Sequence, residues 1–107
     1  MTNNKSMATT RVNLVLKVRD RIAGCAAEDA RATLSVGDQQ DVDFAVERQA
    51  WCVRLTASLE QQQPGLVPVE LQWVVGDDER WRREWRQFIC VGSGGGEERH
   101  EFVVTFH

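Results

Sequence analysis

Apolar and polar residues alternate along most of this chain, and the alternation has the period of a β-strand. Val12, Leu14, Leu16 and Val18 are interleaved with Asn13, Lys17 and Arg19. A period of two sends successive side chains to opposite faces, so such a run has one apolar and one wet face. The pattern recurs at Leu34/Val36, Val42/Phe44/Val46, Trp51/Val53/Leu55/Ala57/Leu59, Val69/Leu71/Trp73/Val75, Trp85/Ile89/Val91 and Phe102/Val104/Phe106. Seven runs at about ten-residue spacing predict an all-β fold: a two-sheet antiparallel β-sandwich, immunoglobulin-like, with about seven strands. A small closed barrel is the competing architecture. A parallel α/β sheet is disfavoured, because its strands read as continuous apolar runs.

Turn chemistry divides the runs. Gly37-Asp38-Gln39-Gln40-Asp41 predicts a hairpin spanning Ala32–Val46, since Gly and Asp adopt turn geometry that β-branched residues resist. Pro64-Gly65 closes a polar loop that begins at Glu60, and Gly76-Asp77-Asp78-Glu79 turns the chain again. The glycine-rich Gly92–Gly96 stretch predicts a loose tip to a last hairpin. Ala23–Ala30 is alanine-rich and fits one helical turn or a wide crossover. Residues 77–86 are ambiguous: Trp81 and Trp85 align on a helix as well as on a strand, and continuity through Ile89 and Val91 favours strand.

A chain of 107 residues is expected to hold a flexible leader over 1–10 and a single sandwich domain over 11–107. A chain of this size buries roughly 65% of its unfolded surface, enough for one modest core. The net charge is −3, and neither half of the chain is basic. A phosphate backbone needs a clustered positive surface, so nucleic acid is not an expected partner. The polar start lacks the apolar segment of a secretory signal, and no apolar run approaches the roughly 18 residues of a membrane span. The expectation is a cytoplasmic protein, no membrane partner, and no targeting segment unless one has been removed.

The chain has three cysteines, Cys25, Cys52 and Cys90, without C-x-x-C spacing. An odd count excludes a complete set of intrachain disulfides. Reduced thiols are expected, with a Cys52–Cys90 bond requiring neighbouring strands. The two histidines, His100 and His107, offer one nucleophile pair, Cys90 with His100 across the last hairpin, but no third orienting group. Asp38, Asp41 and Asp43 surround one turn without the spacing of a calcium loop. Gly92–Gly95 followed by Glu97 and Glu98 would repel the anions that glycine loops cradle ahead of a helix. No catalytic group, metal or cofactor is therefore expected.

Arg80-Trp81-Arg82-Arg83-Glu84-Trp85-Arg86 is the chemically distinctive segment. Arginine and tryptophan dominate interface energetics, because each buries a large area at modest entropic cost. On a strand, Arg80, Arg82, Glu84 and Arg86 share one face, with Trp81, Arg83 and Trp85 on the other. The reading is a non-enzymatic protein–protein interaction module. Its partner-binding residues are Arg80, Trp81, Arg82, Arg83 and Arg86, or else an exposed sheet edge. The partner is another protein whose identity is not encoded, and a homodimer through a sheet edge is compatible with the same reading. Two alternatives stand beside it. One is a carbohydrate- or ligand-binding sandwich with a platform of exposed tryptophans. The other is a small inhibitor acting through Glu60–Gly65 and the glycine-rich tip. Ala32–Gly37 and Gly92–Gly95 faintly resemble parts of chagasin-type cysteine-protease inhibitors. The Asn-Pro-Thr-Thr-Gly and Arg-Pro-Trp loops of that family are missing, so no family is assigned.

Overall fold

Seven strands form where β-branched and aromatic residues alternate with polar ones. In chain order they are β1 (Thr10–Asp20), β2 (Ala30–Val36), β3 (Ala45–Arg48), β4 (Val53–Gln61), β5 (Gly65–Val75), β6 (Arg83–Val91) and β7 (Gly96–Phe106). The computed structural model describes residues 10–21, 30–61, 64–76 and 82–107; the expected leader up to residue 9 and most of the alanine-rich stretch lie outside them. Residues 83–91 are strand, which resolves that part of the ambiguous segment.

The strands divide into a four-stranded sheet, ordered β3-β4-β1-β7, and a three-stranded sheet, ordered β2-β5-β6. Their apolar faces meet in one core. Leu14, Leu71 and Val104 are fully enclosed there with Leu55, and the half-buried Phe44 packs against them. The alternation extends to Thr10 and Asp20, which share the inward side of β1 and are also buried. Val15 and Val74 are buried despite lying on the outward side of their strands.

Three expectations are corrected. First, β1 pairs antiparallel with β4 but parallel with β7, from Thr10↔Gly96 to Asp20↔Phe106, so the larger sheet is mixed. The cause is the connection after β6. The chain leaves the smaller sheet at Gly92 and crosses to the larger one, where β7 runs alongside β1 in the same direction. No hairpin therefore joins β6 and β7.

Second, the Ala32–Val46 hairpin begins but does not continue. Val36 and Gln39 exchange backbone bonds of 2.9 Å around Gly37, whose φ of 61° is the left-handed geometry glycine accepts most readily. Val42 N–H then reaches the Leu34 carbonyl at 2.8 Å. Beyond this the chain departs. Val42 and Phe44 turn toward the core, and β3 joins the opposite sheet along β4, leaving β2 paired with β5. Third, Trp51 is 77% exposed rather than inward. It sits in a turn closed by Gln49 N–H to the Cys52 carbonyl at 2.9 Å, ahead of the point where the β4 alternation starts. Cys52, expected outward, is buried, and its thiol donates to Gln49 Oε1 at 3.3 Å.

Candidate interaction surface

Among the described residues, strand β6 has one lateral neighbour, β5, and is therefore an edge of the smaller sheet. The arginine-rich segment and an open sheet edge are thus the same element. Arg80 and Trp81 lie outside the described residues. Arg82 is exposed just before the strand begins. Within β6 the expected parity holds: Glu84 and Arg86 point outward, and Arg83 and the half-buried Trp85 point inward. Arg86 forms an ion pair with Glu70, its register partner on β5.

Arg83 has a different role from its neighbours. Its Nη1 and Nη2 donate to Asp20 Oδ1 and Oδ2 at 3.0 and 2.5 Å, a bidentate pair. Trp73 Nε1–H donates to the same carboxylate at 2.8 Å. The guanidinium carbon lies 5.2 Å from the centre of the Phe106 ring, and that ring stacks on Trp73 at 6.4 Å. Asp20 and Phe106 come from the larger sheet, Trp73 and Arg83 from the smaller. The cluster is a polar staple across the sandwich. It assigns Arg83 to the fold, since its charge is satisfied inside the molecule.

The outward face near the other end of β6 is apolar. Leu66 and Phe88 are 73% and 53% exposed. The register sets Pro68 opposite Phe88 and Leu66 opposite Cys90, so these side chains gather on adjoining strands. Cys90 is an exposed free thiol in this patch. Edge strand β7 carries a different surface: Glu101 is bound by Lys17 at 2.9 Å and by Arg99 at 3.1 Å, which neutralises that edge within its own sheet.

The remaining chemical candidates do not assemble. Cys90 and His100 belong to strands of different sheets, Cys90 outward and His100 on the inward side of β7. Cys52 lies in the turn ahead of β4 and Cys90 on β6 of the other sheet, both as free thiols, and Cys25 lies outside the described residues. Asp38, Asp41 and Asp43 are exposed around their turn. Among the described residues no group of three His, Cys, Asp or Glu side chains is placed to hold a metal ion. Nor is any helix long and apolar enough to cross a membrane.

The glycine-rich connection is held from within. Glu98 Oε2 accepts the Gly92 amide at 2.7 Å, and Oε1 lies 3.1 Å from His100 Nε2. A Cβ at position 92 would come within 2.8 Å of that carboxylate, so a side chain there would require Glu98 to shift. The Gly92 bond first, and His100 second, hold the Glu98 carboxyl below its ordinary value. A lowered folded value means that this contribution to stability is present above pH 4.5 and is lost as pH falls through the folded value. Titration by NMR is expected to give a Glu98 midpoint below 4.5, with the Gly92 amide shifting at the same pH. A midpoint at or above that value would remove the interaction.

Two further features bear on the ligand and inhibitor alternatives. A cleft of about 150 Å³ opens between the β2 and β3 edges, lined by Ala32, Phe44, Val46, Arg48, Leu55 and Trp73. Of the described tryptophans, Trp73 is buried and Trp85 half-buried, which leaves Trp51 as the exposed one. At one end of the sandwich, Gln39 Nε2 donates to the Glu60 carbonyl at 3.2 Å and Thr10 Oγ1 to the Gly92 carbonyl at 3.3 Å, tying the 37–41 turn to the end of β4 and the 92–95 loop to the start of β1. No family model, curated protein or solved structure matches the chain.

Proposed function

We propose that this protein is a non-enzymatic protein–protein interaction module that binds through the β6 edge of its three-stranded sheet. The observation that carries this reading is that β6, a sheet edge among the described residues, presents outward Glu84 and Arg86 and shares the exposed Leu66–Phe88 patch with β5. An unpaired edge offers backbone donors and acceptors that a partner strand completes. Flanking side chains then select among partners. Arg82 and Arg86 supply guanidinium groups suited to carboxylates, and Phe88 and Leu66 supply apolar area beside them. The four-over-three division of strands supports an immunoglobulin-like description, from which the parallel β1–β7 pairing departs. A cytoplasmic setting accords with the free thiols of Cys52 and Cys90.

A photoreactive amino acid placed singly at Arg86, Phe88 or, as a control on the larger sheet, Val103 tests the assignment in cells. Protein adducts are expected from positions 86 and 88 and not from 103. Equal labelling at all three sites, or labelling at 103 alone, refutes β6 as the binding edge.

A further inference from the structure

We propose that the β6 edge is self-complementary and that a second copy of this chain docks on it. The two β6 strands would run antiparallel about a two-fold axis at Trp85, joining two three-stranded sheets into one of six. The inference rests on the reading of β6 as the binding edge and names an occupant for it.

Symmetry and side-chain parity restrict the register. A two-fold axis relating adjacent antiparallel strands stands perpendicular to the sheet, so outward residues of one copy meet outward residues of the other. On β6 the outward set includes Glu84, Arg86 and Phe88. Only registers centred on a residue preserve this matching. Centring on Glu84 sets Glu84 against itself and Arg82 against Arg86. Centring on Arg86 sets Arg86 against itself. Centring on Arg83 sets Arg83 against itself. Centring on Gln87 faces Glu84 with Cys90 and leaves it no cation. Like charges directly opposite are unfavourable.

The register centred on Trp85 avoids all of these oppositions. Glu84 faces Arg86 of the second copy, and the symmetry repeats that ion pair. Arg82 faces Phe88 of the second copy, the pairing of a guanidinium with an aromatic ring. Trp85 meets its own counterpart on the inward side. Because Trp85 packs 5.3 Å from Phe102, the contact extends an aromatic row across the axis. The outward charges fall into line as well. Arg86 already binds Glu70 on β5, so a row forms from Glu70 through Arg86 to Glu84 of the second copy. Opposite charges in directly facing cross-strand positions stabilise a sheet.

The test is the association state of the full chain by sedimentation equilibrium. Glu70→Gln is carried in every variant, so that changes at position 86 do not act through β5. Glu84→Arg alone and Arg86→Glu alone are each expected to weaken dimerisation roughly tenfold, because each turns two facing pairs repulsive. The Glu84→Arg/Arg86→Glu exchange is expected to restore it. Circular dichroism and thermal melts check that each variant keeps its fold. A dimer indifferent to both single changes overturns the proposal, as does a monomer at millimolar concentration. A monomer that still forms adducts with other proteins at positions 86 and 88 sinks the self-association alone. A monomer without such adducts removes the interaction reading with it.

Discussion

Replacing Asp20 with alanine is expected to destabilise the domain by about 3–5 kcal/mol, the range for breaking a buried ion pair by removing one partner. The side chain is 1% exposed, and it satisfies both Arg83 terminal nitrogens and the Trp73 indole at once. Its removal strands a guanidinium whose own side chain is 18% exposed, together with a buried N–H donor. Such a loss is a large share of the roughly 5–15 kcal/mol that holds a domain folded. The melting temperature is expected to fall by on the order of 10–20 °C. Urea unfolding of Asp20→Ala, Arg83→Met and the double variant checks the cause. If the staple is the source, the double variant loses less than the two single losses combined, because the stranded charge has gone as well. Strict additivity would place the stabilisation elsewhere.

Leu16→Ala is expected to cost about 2–5 kcal/mol, through lost transfer free energy and the cavity left behind. Leu16 is 0% exposed on β1, a strand with neighbours on both sides, opposite Leu55 on β4 and Phe102 on β7. A site enclosed by paired strands on either side has little freedom to collapse, which favours the upper part of that range. Denaturant unfolding checks it, with an unchanged denaturant dependence and a lower midpoint as the expected signature. A loss below about 1 kcal/mol would mean that the two sheets do not close over β1 as described.

What was legible in the chain was set by local geometry. Alternation is a property of each strand alone, so Val12 to Val18 and Phe102 to Phe106 announced their inward faces, and Arg83 and Trp85 were correctly set opposite Glu84 and Arg86. Pairing partners are not local. The same period of two serves parallel and antiparallel neighbours, which is why the β1–β7 direction and the separation of β2 from β3 were not readable. The staple was half visible. Asp20 continues the inward series 12, 14, 16, 18, and a carboxylate at the end of an apolar face signals a buried partner. Which cation it meets depends on how the two sheets stack, and no single run encodes that. The apolar patch left its own trace, since Leu66 and Phe88 fall at positions where the alternation calls for polar residues. Trp51 misled because a turn ended the register one residue short of its strand.

The lengthwise union of β1 with β7 also sets how the molecule would carry a load. β1 enters at the end of the sandwich from which β7 departs, so Thr10 and Phe106 occupy opposite ends of the paired ribbon. Traction applied through those two points would slide the strands past one another. The rungs between them would then share the strain together instead of parting in succession.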